Sequence, residues 1–480
     1  MNENIDKTKL AGILKSLDKK DRLAAKKFLA SPYFNTNEDL GVLFIEINKL
    51  IDKNKSLSKL ILWKKLIKNK AYSDVRFRKF CSDLSKLMEQ FLSQKAFDKH
   101  PIQHKIFSLK SLNENKQKAT KLATSTIKEA NDMMKNYPYR DTSYYLNQYQ
   151  LQKQFYDFYD YDTNRDEKSN LEEISKNLDY FYFGEKLKLI VNVMTRRKHK
   201  AYVYNLNLKD EILSLTENNS SSLSNSPQVK VYFQIQKIFS EPENEEHYFK
   251  FKKIIEENAF FFPREVAIEE LYGAAQNYCV RKINAGNQKF LNELFDLFKM
   301  LIDQGLIISE DKISPWYFRN IVFTGLRLGK YKWVESFIHQ HKNYLPKDLK
   351  ENAVTYNLAQ LYFYQKKYRE VIGQLQFVEY DDLSYNLNSK AMLLATYYEL
   401  DEIDLLDSHL DTFNSFLKRR KDFPPERSLP YRNLIKFTKK LSRLLPNDTK
   451  ALEKMKEEIA EIGNVANANW LLEKIGELGG

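Results

Sequence analysis

Two apolar stripes separated by a tight turn constrain this chain more than any other feature. Between Asn352 and Asn386, Leu358, Ala359, Leu361 and Tyr362 recur at spacings of one, three and four, and Tyr368, Val371, Ile372, Leu375 and Val378 repeat the pattern. Each set is one face of an amphipathic helix. Neither helix can hide its stripe alone, so the pair needs a neighbour on each side, and a stacked helical array satisfies that need.

The rest of the chain reads the same way. Only 13 Gly and 12 Pro occur in 480 residues, so few positions break a helix, and no long alternating run bounded by Asn-Gly or Asp-Gly marks a sheet. The expectation is an all-α chain. Residues 1–98 carry 21 basic and 12 acidic residues, about two thirds of the net charge of +13, and read as a basic module of five helices. Ser16 and Asp18, Asn37 or Glu38, Ser58 and Ser73 sit where helices need to start, and Ser31-Pro32 stops the helix that ends near Ala30. Residues 99–310 read as irregular helical repeats, with Pro101, Pro227, Pro242 and Pro263 at first-turn positions. Asn218 to Ser226 reads as a surface connector and Asp381-Asp382 as a turn. Residues 311–420 hold the clearest repeats. Residues 421–480 read as three closing helices, the last with Trp470, Leu471, Ile475 and Leu478 on one side and Glu473, Lys474 and Glu477 on others.

Several function classes lose support. No window approaches the roughly 18 apolar residues that cross a membrane, and the first twenty-odd residues lack the apolar run of a secretory signal. Cys81 and Cys279 fall at helix-periodic positions beside large apolar residues, which points to core thiols in a reducing cytoplasm. The closest glycine pair, Gly325 and Gly329, falls in a repeat helix and is followed by no Lys-Ser or Lys-Thr, so no phosphate loop is expected. No catalytic grouping, metal set or cofactor motif stands out among the seven histidines and the scattered carboxylates.

The unit around Asn357-Leu358-Ala359 resembles a tetratricopeptide repeat. Tyr362 and Tyr368 fall on the family's aromatic positions, Glu370 on its acidic one and Val371 on its small one. One unit earlier Ile321, Tyr331, Val334 and Pro346 match, and one unit later Leu393, Tyr397, Ile403 and Leu406 do. Tyr331, Tyr368 and Ile403 are 37 and 35 residues apart, near the family's period of about 34. Val334, Val371 and Leu406 replace the usual alanine, which implies slightly wider helix spacing. SPYFNTN from Ser31, EPENEEHYFKF from Glu241 and SPWYFRNIVFTGLRLG from Ser314 also look like an uncharacterised helical-repeat family of Bacteroidota, a likeness that carries no activity with it.

The resemblance implies a right-handed solenoid in which the first helix of each unit lines a concave groove. Arg319, Phe323 and Arg327, then Tyr356, Gln360, Phe363 and Tyr364, then Ala391, Ala395 and Tyr398 would face it. Against the family's carboxylate clamp, Asn357 matches, Arg319 conserves charge, and Phe323, Asn388 and Met392 depart. A mixed aromatic and basic groove suits an extended or helical peptide with some negative charge, so the expected role is a cytoplasmic, non-enzymatic scaffold or adaptor. The alternative is nucleic-acid binding, with Arg76, Lys79 and Lys86 of the basic module against phosphate. The aromatic stretch Tyr137 to Tyr161 is expected to fill core or groove rather than to stack bases.

Overall fold

The computed structural model describes residues 3–67, 70–114, 116–158, 168–196, 204–375, 383–420, 424–446 and 448–479. It is almost wholly helical. By contacts the chain divides into two units, Met1–Leu189 with Asn207–Val229, and Ile190–Leu206 with Lys230–Gly480. Val378, Asp381, Asp382, Tyr159 and Tyr161 lie outside the described residues.

In the first unit, α1 (Lys9–Ser16), α2 (Lys19–Ala30), α3 (Glu38–Asp52), α4 (Lys59–Leu66) and α5 (Asp74–Phe97) enclose one apolar cluster built on Leu14, Leu43, Ile47, Trp63, Phe77 and Leu84. The caps explain the boundaries. Asp18, Asn37 and Ser73 accept from the amides of Asp21, Asp39 and Arg76, whereas Ser58 precedes α4 without a side-chain bond. Ser31 is extended and ends α2 before Pro32. A second cluster joins α6 (Pro101–Asn113), α7 (Lys116–Lys135) and α8 (Thr142–Phe158) through Ile106, Ala123, Ala130 and Leu151. Tyr145 of α8 is buried and meets Tyr180 of α9 (Leu171–Arg196) edge to face at 5.1 Å, as expected of a core tyrosine.

The segment read as a surface connector is exposed at Asn218, Asn219, Ser222, Ser224 and Asn225, but it is partly helical and anchored near its end. After α10 (Lys209–Asn218), residues Ser220–Leu223 form a short helix, α11, whose Leu223 is buried, and the following Ser226 is fully buried. The Tyr180 hydroxyl donates to the Ser222 carbonyl at 3.1 Å, so an otherwise exposed stretch is pinned to the core at one backbone carbonyl and by Leu223 and Ser226.

The second unit takes the chain from α12 (Pro227–Ser240), which begins in the first unit, through α13 (Glu245–Asn258), α14 (Arg264–Val266), a π turn at Ala267–Tyr272, α15 (Gly273–Asn284) and α16 (Lys289–Asp303). Pro101 and Pro227 open helices, but Pro242 lies in the turn before α13, where Asn244 caps, and Pro263 is the residue before α14. Two-residue strands, Ile308–Ser309 and Lys312–Ile313, pair around Glu310 and Asp311, both with positive φ. Then α17 (Pro315–Arg327), α18 (Tyr331–His341), α19 (Lys350–Tyr364), α20 (Tyr368–Leu375), α21 (Leu383–Glu399) and α22 (Ile403–Arg419) pack each on the next, with α19 also against α17 and α21. The chain closes with α23 (Pro425–Leu441), α24 (Thr449–Ile462) and α25 (Ala468–Leu478).

One turn recurs along this unit. Gly329, Lys366 and Asp401 take φ of 67°, 57° and 57°, and the next amides, of Lys330, Lys367 and Glu402, return to the carbonyls of Gly325, Tyr362 and Tyr397 at 3.0, 2.9 and 3.0 Å. This is the left-handed closure that satisfies a helix's last carbonyls. Gly329 thus lies past the end of α17, not inside it. Gly325 does lie within α17, at its closest approach to α18: a Cβ there would stand 2.6 Å from Cγ2 of Val334. The glycine makes room for Val334.

Candidate functional site

The first helices of the three consecutive pairs turn one face toward a common cavity of about 640 Å³. Its walls include Arg319 and Phe323 of α17, Tyr356, Gln360, Phe363 and Tyr364 of α19, and Asn388 and Met392 of α21. Six residues placed in the groove from sequence are therefore neighbours in space. The reason is register: Arg319 and Tyr356 occupy equivalent positions of successive units, as do Phe323 and Gln360, and equivalent helices stacked side by side align equivalent positions.

Three others go elsewhere. Arg327 is exposed, with its guanidinium 5.8 Å from the Phe323 ring centroid and donating to Gln288 at 3.2 Å, and it does not line the cavity. Asn357 is fully buried and donates to the Ala353 carbonyl of its own helix at 2.7 Å, so the position that matched the carboxylate clamp faces the core. Tyr398 packs edge to face on Trp470 at 5.5 Å. Ala391 and Ala395 are buried in a cluster with Trp470, Leu471 and Ile475, so the chain's own last helix joins the core where open groove was expected.

That last helix supplies the wall the sequence did not reveal. Asn467, Ala468, Asn469 and Trp470 line the cavity opposite α17 and α19. The turn before α25 is tied to α23, with the Ala466 amide on the Pro430 carbonyl at 3.0 Å and Asn433 donating to the Asn464 carbonyl at 2.8 Å. Glu399, at the end of α21, then accepts from the Trp470 indole at 2.8 Å and from Lys474 at 2.9 Å. Lys474, read from sequence as lying off the apolar side, is only 5% exposed. The Tyr368 hydroxyl, pushed up to about 12 by burial and then by its bond to Glu399, completes the cluster. This four-group network adds directional contacts to the apolar stripe by which α25 docks.

Within the cavity the charge balance is one-sided. Arg319 is the only charged residue among the described residues that line it. Burial raises the hydroxyl of nearby Tyr431, and the Arg319 charge opposes that rise. In the first unit, Arg76, Lys79 and Lys86 are exposed on α5, with Arg76 5.7 Å from the Phe80 ring centroid. Cys81 and Cys279 are free thiols, both raised by burial. No helix among the described residues is long and apolar enough to cross a membrane, and no group of three or more His, Cys, Asp or Glu among them could hold a metal ion. Comparison with family models, curated proteins and solved structures finds no match for this chain.

Proposed function

We propose that this protein is a non-enzymatic scaffold or adaptor of tetratricopeptide-like architecture that holds a segment of another protein in the cavity between α17, α19, α21 and α25. The observation that carries this reading is the convergence of Arg319, Phe323, Tyr356, Gln360, Phe363 and Tyr364 on one cavity. Its volume lies in the range of specific ligand sites, and its walls set aromatic rings beside several side-chain amides. The recurring left-handed turns at Gly329, Lys366 and Asp401 support the repeat architecture, because they bring each helix pair to the same register.

A photo-crosslinking residue in place of Phe323, used in the native host, tests the reading. Cross-links to a distinct partner are expected, and they should vanish when Arg319→Glu and Phe363→Ala are added. Recovery of the same partner by the double variant overturns it. The second reading, nucleic-acid binding, is favoured by the exposure of Arg76, Lys79 and Lys86 along α5. Fluorescence anisotropy with oligonucleotides decides that question: binding must fall steeply with salt and weaken in the Arg76→Ala, Lys79→Ala, Lys86→Ala variant.

A further inference from the structure

The polar walls of the cavity narrow what it can hold. Among the described residues lining it, Arg319 is joined by five amides, Asn320, Gln360, Asn388, Asn467 and Asn469, and by no Asp or Glu. Arg319 is half-buried and makes no ion pair or hydrogen bond among the described residues. A half-buried guanidinium without an acidic partner keeps its donors for a ligand, and a carboxylate is the group whose geometry it matches.

The amides have bonding capacity to spare. Among the described residues, the side chains of Asn320, Asn467 and Asn469 make no hydrogen bond. Asn388 uses its Oδ1 to accept from the Tyr431 hydroxyl at 2.8 Å and keeps its two donors. Gln360 donates to the Tyr356 hydroxyl at 3.0 Å, and its Oε1 is buried without a partner. A side-chain amide carries a donor and an acceptor in one plane, as a peptide group does. A helical ligand has already satisfied its backbone groups internally, whereas an extended segment offers a free N–H and C=O at each residue.

We infer that the cavity binds an extended peptide segment through its backbone, that an acidic side chain of the segment pairs with Arg319, and that the first turn of α25 forms one wall of the site. This rests on the reading of the cavity as a peptide site. Two of the five amides belong to that turn, so the site is incomplete until α25 is docked. The docked position is held by Glu399 and Lys474.

The test uses the full chain and a positional library of linear peptides with acetylated and amidated ends. Selection should fix Asp or Glu at one position. For the selected peptide, Arg319→Gln should weaken binding about tenfold or more, while leaving the analogue with Gln at that position unaffected. Asn320→Ala with Asn469→Ala should weaken both peptides alike, since backbone contacts are indifferent to sequence. Backbone N-methylation of the selected peptide should abolish binding, and Arg319→Lys should retain part of the acidic preference. Far-UV circular dichroism and the unfolding midpoint check that each variant is folded. Peptides that bind without acidic preference, or that tolerate N-methylation, overturn this inference alone. A requirement for a free C-terminal acid, or much tighter binding of a phosphoserine analogue, reassigns the group on Arg319 and overturns it too. If no peptide binds, both this inference and the peptide reading fall.

Discussion

Lys474 of the last helix and Glu399 at the end of α21 form a 2.9 Å ion pair in which the two side chains are only 6% and 12% exposed. Burial alone would lower the Lys474 ammonium, but its bonds to Glu477 and Glu399 outweigh that and raise it above its ordinary 10.5. Removing Lys474 leaves the Glu399 carboxylate buried with only neutral donors, the Trp470 indole and the Tyr368 hydroxyl.

Lys474→Met should therefore cost about 3–5 kcal/mol, and Glu399→Gln in the same background should recover part of that loss. A double-mutant cycle by urea unfolding measures the coupling, and simple additivity would show that the pair does not hold α25. The sign with pH follows from a raised lysine. The pair's contribution is complete below about 10.5 and fades only as pH climbs past it, so neutral and mildly alkaline midpoints should agree in this respect.

Gly325→Ala should destabilise the chain by about 1–3 kcal/mol, because the new methyl group meets Cγ2 of Val334 across a close helix contact. Adding Val334→Ala should restore much of the loss. A thermal-unfolding midpoint that does not move with Gly325→Ala would show that the α17 and α18 backbones separate freely.

Lys366→Gly and Asp401→Gly should each stabilise by up to about 1 kcal/mol, since both residues hold a left-handed conformation that a Cβ disfavours. The gain is read from the denaturation midpoint. Gly329→Ala, at the equivalent turn, should move it the opposite way.

His409 sets an acid limit. Burial is the main effect on its ring and outweighs the bond to the Lys390 carbonyl at 2.8 Å, so its pKa lies below the ordinary 6.5. The unfolded chain then takes up a proton that the folded chain refuses, and stability falls as pH drops below about 6.5. His409→Gln should flatten the pH dependence of the urea midpoint between pH 7 and 5. An unchanged slope would exclude the imidazole as its source.

The helices and their inward faces were legible because the apolar period is local: Leu358, Leu361 and Val371 announce their helices within a few residues of chain. The cavity was legible in part for a related reason. Stacking repeats of similar length aligns equivalent positions, so Arg319, Phe323, Tyr356 and Gln360 could be placed on one face by counting. Counting failed at Asn357, whose amide turned back to its own helix, and at Arg327, which lies just beyond the cavity's edge.

What counting could not supply was the return of the chain's end. Trp470 reads as part of the apolar side of the last helix and Lys474 as lying on another side, because nothing within the last dozen residues announces a carboxylate on α21. Sequence alone determined the helical class and placed most of one wall of the cavity, since these depend on contacts between near neighbours in the chain. Only the tertiary structure decided that α25 closes the site, because that depends on Glu399, 75 residues from Lys474, meeting an ammonium and an indole that are stable out of water only when joined to it.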